Sequence, residues 1–168
     1  MNVEIKPIGY HEKEILRRLL EFYLYELSIY TDQIEMNEHG IFGYRYLDHY
    51  WTEKDRYPFF IFGDAKLAGF MLVRKFDYSG NEDYKWLMSE FFVLKKYQKR
   101  GIGRSAAYQV FDSFFGPWIV AQIETNETSR HFWKRVISEY TAGNYIESKL
   151  GSQPAQEFIS NNTSGIKL

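Results

Sequence analysis

The sequence predicts an α/β fold in three layers, with helices on both faces of a mixed, mostly antiparallel sheet. Three observations carry that expectation. An amphipathic helix pattern comes early, and two apolar runs follow that are separated only by Gly63-Asp64-Ala65-Lys66, the spacing of a hairpin. Later a strand, a glycine turn, a helix and a second strand succeed one another, which requires a crossover between parallel strands. The 168 residues suffice for one sizeable core and leave no room for a second full one, so a single domain over 1–168 is expected.

In order, Val3 to Ile8 alternate Val3, Ile5 and Pro7 against Glu4 and Lys6, as an opening edge strand would. From His11 to about Tyr30 the apolar positions Ile15, Leu16, Leu19, Leu20, Tyr23, Leu24 and Leu27 recur every three and four residues, which predicts a helix. Between Thr31 and Tyr57 the pattern weakens, with a short helix expected around Tyr44 to Tyr50. Pro58 to Gly63 and Lys66 to Phe76 form the hairpin. A break from Asp77 to Asp83, containing Ser79-Gly80-Asn81, precedes a strand from Lys85 to Leu94. Ile102, Ala106, Ala107, Val110, Phe111 and Phe114 mark a helix that Gly116-Pro117 should close. Trp118 to Glu124 reads as a strand, and Asn126 caps a helix running to about Ser138. Two weaker strands are expected at Ala142 to Lys149 and Glu157 to Ser160.

The formal charge of −1 excludes the broad basic field on which non-specific nucleic-acid binding relies. With no cysteine, disulfides, thiolate metal sites and an acyl-cysteine intermediate are excluded. The chain opens without a basic start and apolar stretch, and no run reaches the roughly 18 apolar residues of a membrane span. A cytoplasmic protein without membrane or nucleic-acid partners is the expectation. The 14 Tyr, 14 Phe and 4 Trp suit either a core or an aromatic pocket.

The most informative segment runs from Phe91 to Ala106. An apolar strand enters the basic loop Lys95 to Arg100, then Gly101-Ile102-Gly103 opens a helix. Glycines let the backbone approach a ligand, and the first helical turn offers unpaired N–H groups at the positive end of its dipole. Lys95, Lys96, Lys99, Arg100 and Arg104 cluster there, which suits a small phosphate-bearing molecule. A cation in a first turn is ordinarily unfavourable, and a bound anion would rationalise Arg104. Gly101 to Ala106 also satisfies the dinucleotide form G-x-G-x-x-A, with Glu124 ending the next strand. That fold, however, places its first glycine directly after the strand and needs several successive crossovers, and neither is present here.

Gln98, Gly101 and Gly103 match the acyl-CoA signature of the GNAT superfamily of N-acetyltransferases, and the chain resembles that family. The expected element order is similar over nearly the whole length. Asn126 through Trp133 resembles a later GNAT motif. The resemblance implies a three-layer α-β-α GNAT-like acyl-CoA N-acyltransferase fold that uses acetyl-CoA as co-substrate and no metal. It further implies a pyrophosphate held by main-chain N–H groups from Lys99 to Arg104, together with Ser105, and a pantetheine arm beside Phe92, Val93 and Leu94, with Gln98 and Asn126 as further contacts. The family's usual tyrosine, an acid for the leaving thiolate, aligns with Trp133, and an indole cannot serve as an acid at neutral pH. Tyr140 and Tyr145 are possible substitutes, with Tyr145 the candidate acid, and His131 is more simply a surface residue.

Direct acetyl transfer to an amine needs a base, and Glu90, immediately before the strand segment that should flank the thioester, is the candidate. The backbone N–H near Val93 could polarise the carbonyl. In this superfamily the acceptor is met by the first helices, their loop and the last strands. Here those contain Tyr23, Tyr25, Tyr30, Asp32, Glu35, Tyr44, Tyr46, His49, Trp51 and Tyr145, rings and acids suited to a cationic amine. The expected acceptor is a small-molecule amine or a peptide or protein amine, and the expected assembly a monomer or homodimer. The alternative function is a non-catalytic acyl-CoA-binding sensor or regulatory module.

Overall fold

Strand β1 (Val3–Pro7) runs antiparallel to β2 (Arg56–Gly63), which turns tightly into β3 (Lys66–Asp77). Asp64 and Ala65 make that turn with φ of 48° and 62°, the left-handed pair whose twist matches a two-residue hairpin. β3 pairs antiparallel with β4 (Tyr84–Val93), and helix α3 (Ile102–Ser113) carries the chain over to β5 (Gly116–Ala121), parallel to β4. Helix α4 (Glu127–Tyr140) leads into the hairpin of β6 (Tyr145–Leu150) and β7 (Gln153–Ser160). β7 inserts beside β5, giving the seven-stranded order β1-β2-β3-β4-β5-β7-β6. This computed structural model describes residues 1–77, 80 and 83–160.

Two layers of helix follow from alternation along the strands. On one face, Leu16, Leu19 and Leu20 of helix α1 (Lys13–Leu27), with Leu47 and Tyr50, pack on Phe60, Phe70, Leu72 and Phe92. Tyr50 lies in the short helix α2 (His49–Thr52). On the other face, Ile102, Val110 and Phe111 of α3 and Trp133, Val136 and Ile137 of α4 cover Phe59, Ile61, Met71, Val73, Met88 and Trp118. Full burial of one such side chain contributes about 1.5–3 kcal/mol, so each helix is anchored by several. Trp118 is buried with its indole N–H donating to the Phe114 carbonyl at 2.7 Å, so the core's largest ring leaves no polar atom stranded.

Several boundaries differ from the sequence reading. Gly116 and Pro117 do not merely end the helix but open β5, near a strand start where a missing N–H costs least. β5 stops at Ala121 rather than Glu124, because the chain turns there and the Asn126 N–H donates to the Ile123 carbonyl at 2.9 Å. The short helix falls at His49–Thr52, later than expected, and β7 begins four residues earlier than expected, at Gln153. Of the predicted break, residues 78, 79, 81 and 82 lie outside the described residues.

Two irregularities of β4 shape the ground on which a site could form. The strand pairs with β5 only at Trp86–Trp118 and Leu87–Ile119, so the two part beyond Leu87. Against β3, Leu72 faces Glu90 while Val73 faces Met88, which leaves Ser89 as the extra residue of a β-bulge. A bulge re-aims side chains, and here Leu87, Ser89 and Glu90 all border one cavity. At Gly69, a Cβ would stand 2.0 Å from the Phe92 carbonyl oxygen, so only glycine lets β3 and β4 approach there.

Candidate functional site

The site has two halves, one on each side of the end of β4. In the first, the Leu94 N–H donates to the Ala68 carbonyl at 2.9 Å across β3. Because strand backbones alternate, Phe91 and Val93 direct their main-chain groups to the other edge, where β5 has diverged. A 3₁₀ turn, Lys95–Tyr97, comes next, and Gln98 folds back so that its Nε2 donates to the Val93 carbonyl at 2.7 Å. Lys99 has a φ of 58° and Gly101, the residue capping α3, one of 80°.

The first bond of α3 runs from the Ser105 N–H to the Gly101 carbonyl at 3.0 Å, so the amides of Ile102, Gly103 and Arg104 have no partner within the helix. Nothing lies within 4 Å of where a Cβ on Gly101 would project. Lys99 and Arg100 are exposed and make no ion pair among the described residues. Unpaired amides, open space and free cations together fit a phosphate group. Ile102 is buried and anchors the helix start.

The other expected contacts have structural partners as well. A Cβ on Gly103 would meet the Phe132 ring at 3.1 Å, so its small size serves close packing against α4. Arg104 reaches away from the turn to Glu139 of α4, at 3.4 Å, which Tyr108 also contacts; a protein carboxylate therefore accounts for this cation. Ser105 Oγ accepts from Gln109 Nε2 at 3.3 Å and its N–H is spent within the helix. Asn126 caps α4, its Oδ1 accepting from the Ser129 N–H at 3.0 Å. Phe92 points to the α1 face against Tyr23, while Val93 belongs to the opposite core. Leu94 is half-buried against the core on the α1 face. Trp133 is buried edge-on against Phe91, with ring centres 4.9 Å apart.

The second half is a cavity of about 320 Å³ on the α1 and α2 side. Leu87, Ser89 and Glu90 of β4, Arg74 of β3, Arg56 of β2 and the rings of Tyr44, Tyr46 and Tyr50 enclose it. Glu90 accepts from the Tyr23 hydroxyl at 2.6 Å and from the Tyr44 hydroxyl at 2.9 Å, one phenol on each carboxylate oxygen. Tyr23 is set by the period of α1. Tyr44 is held because Glu21 of α1 accepts the N–H groups of Phe42 and Gly43, both at 2.8 Å.

Burial pushes the Glu90 carboxyl above its usual range, opposed by the donating phenols of Tyr23 and Tyr44 and the Arg74 charge. Burial and the Glu90 charge push both phenols up, so they stay protonated donors. A carboxylate with a raised pKa in a cleft has the character of a general base. The hydroxyls of Tyr50 and Ser89 are buried here without a hydrogen bond of good geometry among the described residues.

Of the acceptor residues expected from sequence, Tyr44 and Tyr46 line the cavity and Tyr23 holds Glu90. Asp32 and Glu35 are exposed in the loop before α2, and the Trp51 indole is spent on the Ile8 carbonyl at 3.1 Å. His49 contacts Glu53 at 3.5 Å, and Tyr25 packs near Phe42. The Tyr30 carbonyl accepts from Thr125 Oγ1 at 2.7 Å. Tyr145 packs on the α3 and α4 side at the start of β6, with β5 and β7 between it and β4, and is not brought to Glu90. Sequence reasoning missed Tyr50, Ser89, Arg56 and Arg74. Counting pairs outward from the Asp64-Ala65 turn would have set the two arginines near each other.

The Acetyltransferase (GNAT) family profile matches residues 16–137, and the chain belongs to that family. Its fold is that of an acetyltransferase from Thermus thermophilus, with TM-score 0.67 and 17% identity, covering 95% of this chain and 97% of the other. A GNAT acetyltransferase from Streptococcus agalactiae superposes with TM-score 0.69 at 13% identity, covering 95% and 96%. The PaiA N-acetyltransferase of Thermoplasma acidophilum, solved in complex with coenzyme A, gives TM-score 0.56 at 13% identity over 95% and 99%. No curated protein sequence matches significantly. Among the described residues no helix is long and apolar enough to cross a membrane.

Proposed function

We propose that this chain transfers an acetyl group from acetyl-CoA to the nitrogen of an amine held in the cavity above Glu90. The observation that carries the reading is the junction of two sites at one strand end. Unpaired amides of Ile102, Gly103 and Arg104 lie beyond it, and a buried carboxylate held by two phenols lies beside it. Acetyl-CoA, when bound, supplies the thioester: a C–N bond forms to the acceptor nitrogen, the C–S bond breaks, and the proton lost by the amine is balanced by the one gained by the released thiol.

The chain's own residues divide that work. The α3 amides with Lys99 and Arg100 would hold the pyrophosphate, Gln98 fixes the loop, and the open edge of β4 at Phe91 and Val93 offers main-chain groups to the pantetheine arm. Glu90 takes the amine proton, directly or through a water molecule, and Tyr23 and Tyr44 keep its oxygens oriented. The PaiA protein's complex with coenzyme A supports a coenzyme A site by analogy of fold. Trp133 favours a second reading, an acyl-CoA-binding module without turnover, because an indole cannot reprotonate a thiolate.

Calorimetry with coenzyme A and thiol release from acetyl-CoA across an amine panel test both readings. Saturable binding with amine-dependent release is expected. Binding with no release for any amine would favour the module, and no binding would remove both.

A further inference from the structure

In the register of β2 and β3, Arg56 stands directly opposite Arg74. Like charges at directly paired positions destabilise a sheet, so the pair calls for compensation. Arg56 has it: its Nε donates to Glu53 at 2.6 Å and its guanidinium lies 5.5 Å from the centre of the Tyr50 ring. Arg74 does not. Its guanidinium lies 5.4 Å from the centre of the Phe76 ring and makes no hydrogen bond or ion pair among the described residues. Each oxygen of Glu90, the one carboxylate among the described residues that lines the cavity, accepts a phenol O–H, and the Arg74 charge acts on it without a hydrogen bond. Among the described residues the cavity therefore offers two guanidinium groups, of which Arg74 has no acid hydrogen-bonded to it, and one carboxylate that already accepts a phenol on each oxygen while keeping a lone pair for a further donor.

Resting on the acetyl-transfer reading above, we infer that the acceptor is a small amine that also carries an anionic group, a carboxylate or a phosphate, which Arg74 receives while the amine meets Glu90. A planar guanidinium fork binds either anion through two parallel hydrogen bonds. Such an anion would also relieve the repulsion across the β2–β3 pair. Polyamines would meet two fixed positive charges and gain only Glu90. A cavity of about 320 Å³ lies at the small end of the range for small-molecule sites, which suits an amino acid or an aminoalkyl phosphate.

The test uses the full chain with acetyl-CoA and paired acceptors: amino acids against their carboxamides, ethanolamine phosphate against ethanolamine, and spermidine. The best anionic amine should exceed its neutral counterpart in kcat/KM by about tenfold or more, since a site built to pair a polar group rejects the analogue lacking it. The carboxylate and phosphate arms tell which anion is read. In Arg74→Gln that ratio should fall to near one, chiefly through KM, and calorimetry with the preferred acceptor should show the same loss of affinity. Arg74→Lys, which keeps the charge but not the fork, serves should the glutamine variant fail to fold, and should lie between the two. Equal or better use of the neutral amines or spermidine overturns the inference while leaving acetyl transfer standing, as does an unchanged ratio in both variants. Coenzyme A binding with no release for any acceptor overturns the transfer reading and this inference with it.

Discussion

The turn after β4 and the cavity beside it sit a few residues apart in the chain, yet they are built on opposite plans. The turn is made of consecutive residues, Gln98 to Arg104, and on the proposed function would work through main-chain amides whose exposure depends only on glycine, a left-handed backbone and a helix start. The cavity is made of side chains from the loop after α1, α2, β2, β3 and β4, with Tyr23 of α1 holding its carboxylate, and depends on a bulge that no local pattern announces. The lesson is physical: a site composed of backbone can be specified by a short contiguous motif, whereas one composed of side chains exists only after the sheet has registered its strands.

The largest expected effect separates the two halves. Glu90→Gln removes the proposed base and should lower kcat/KM about 10²–10⁴-fold, the range for a general base, while coenzyme A affinity measured by calorimetry stays within about twofold. Comparable losses in both would mean the halves are one unit. Its stability carries a sign as well. Glu90 has a folded-state pKa above the ordinary 4.5, so burying its ionised form costs stability as pH rises through the folded pKa, and that cost is absent below 4.5. The variant should therefore melt above wild type at about pH 8 and lose that advantage at about pH 4.

The reciprocal experiment is Gly103→Glu, whose Cβ presses on Phe132 and whose carboxylate adds negative charge at the helix start proposed to hold an anion. It should weaken coenzyme A by about tenfold or more and abolish the thermal shift that coenzyme A gives wild type. A folded variant with unaltered affinity would show that the amides of α3 are not the grip.

A finer probe is Tyr44→Phe. Removing one donor from the Glu90 carboxylate disfavours its ionised form, so the acid limb of the kcat/KM profile should move to higher pH, by about one unit or less. A limb that stays put would detach Glu90 from the titration. The smallest effect belongs to Arg104→Ala, which gives up a part-exposed contact with Glu139. It should cost no more than about 1 kcal/mol and change coenzyme A affinity by less than about threefold, because the side chain points away from the turn.

Much of the fold was legible because hydrophobic period and turn chemistry act locally. Leu16, Leu19 and Leu20 marked the buried face of α1, and the two residues between Gly63 and Lys66 dictated the hairpin. Strand ends were less legible, as at Ala121 and Gln153, because pairing with a distant strand decides where a ladder stops. Glu90 and Tyr44 were visible as candidates, but not that two phenols would hold the carboxylate, since Tyr23 is 67 residues distant from it in the chain. Arg74 escaped notice because a single cation in an apolar run reads as solvent-facing until its cross-strand neighbour is known. The side-chain contact of Arg104 was hidden for the reverse reason, its partner Glu139 lying 35 residues further on.

The parting of β4 from β5 beyond Leu87 leaves the facing rims of two interior strands unpaired with each other in the middle of the sheet. Rims of that kind invite water, neighbouring chains and proteases. On the proposed function, the carrier that fills this gap would also be a structural tie, holding the native state by mass action. The thermal stability of the protein should accordingly keep rising with thioester concentration after the site itself is saturated.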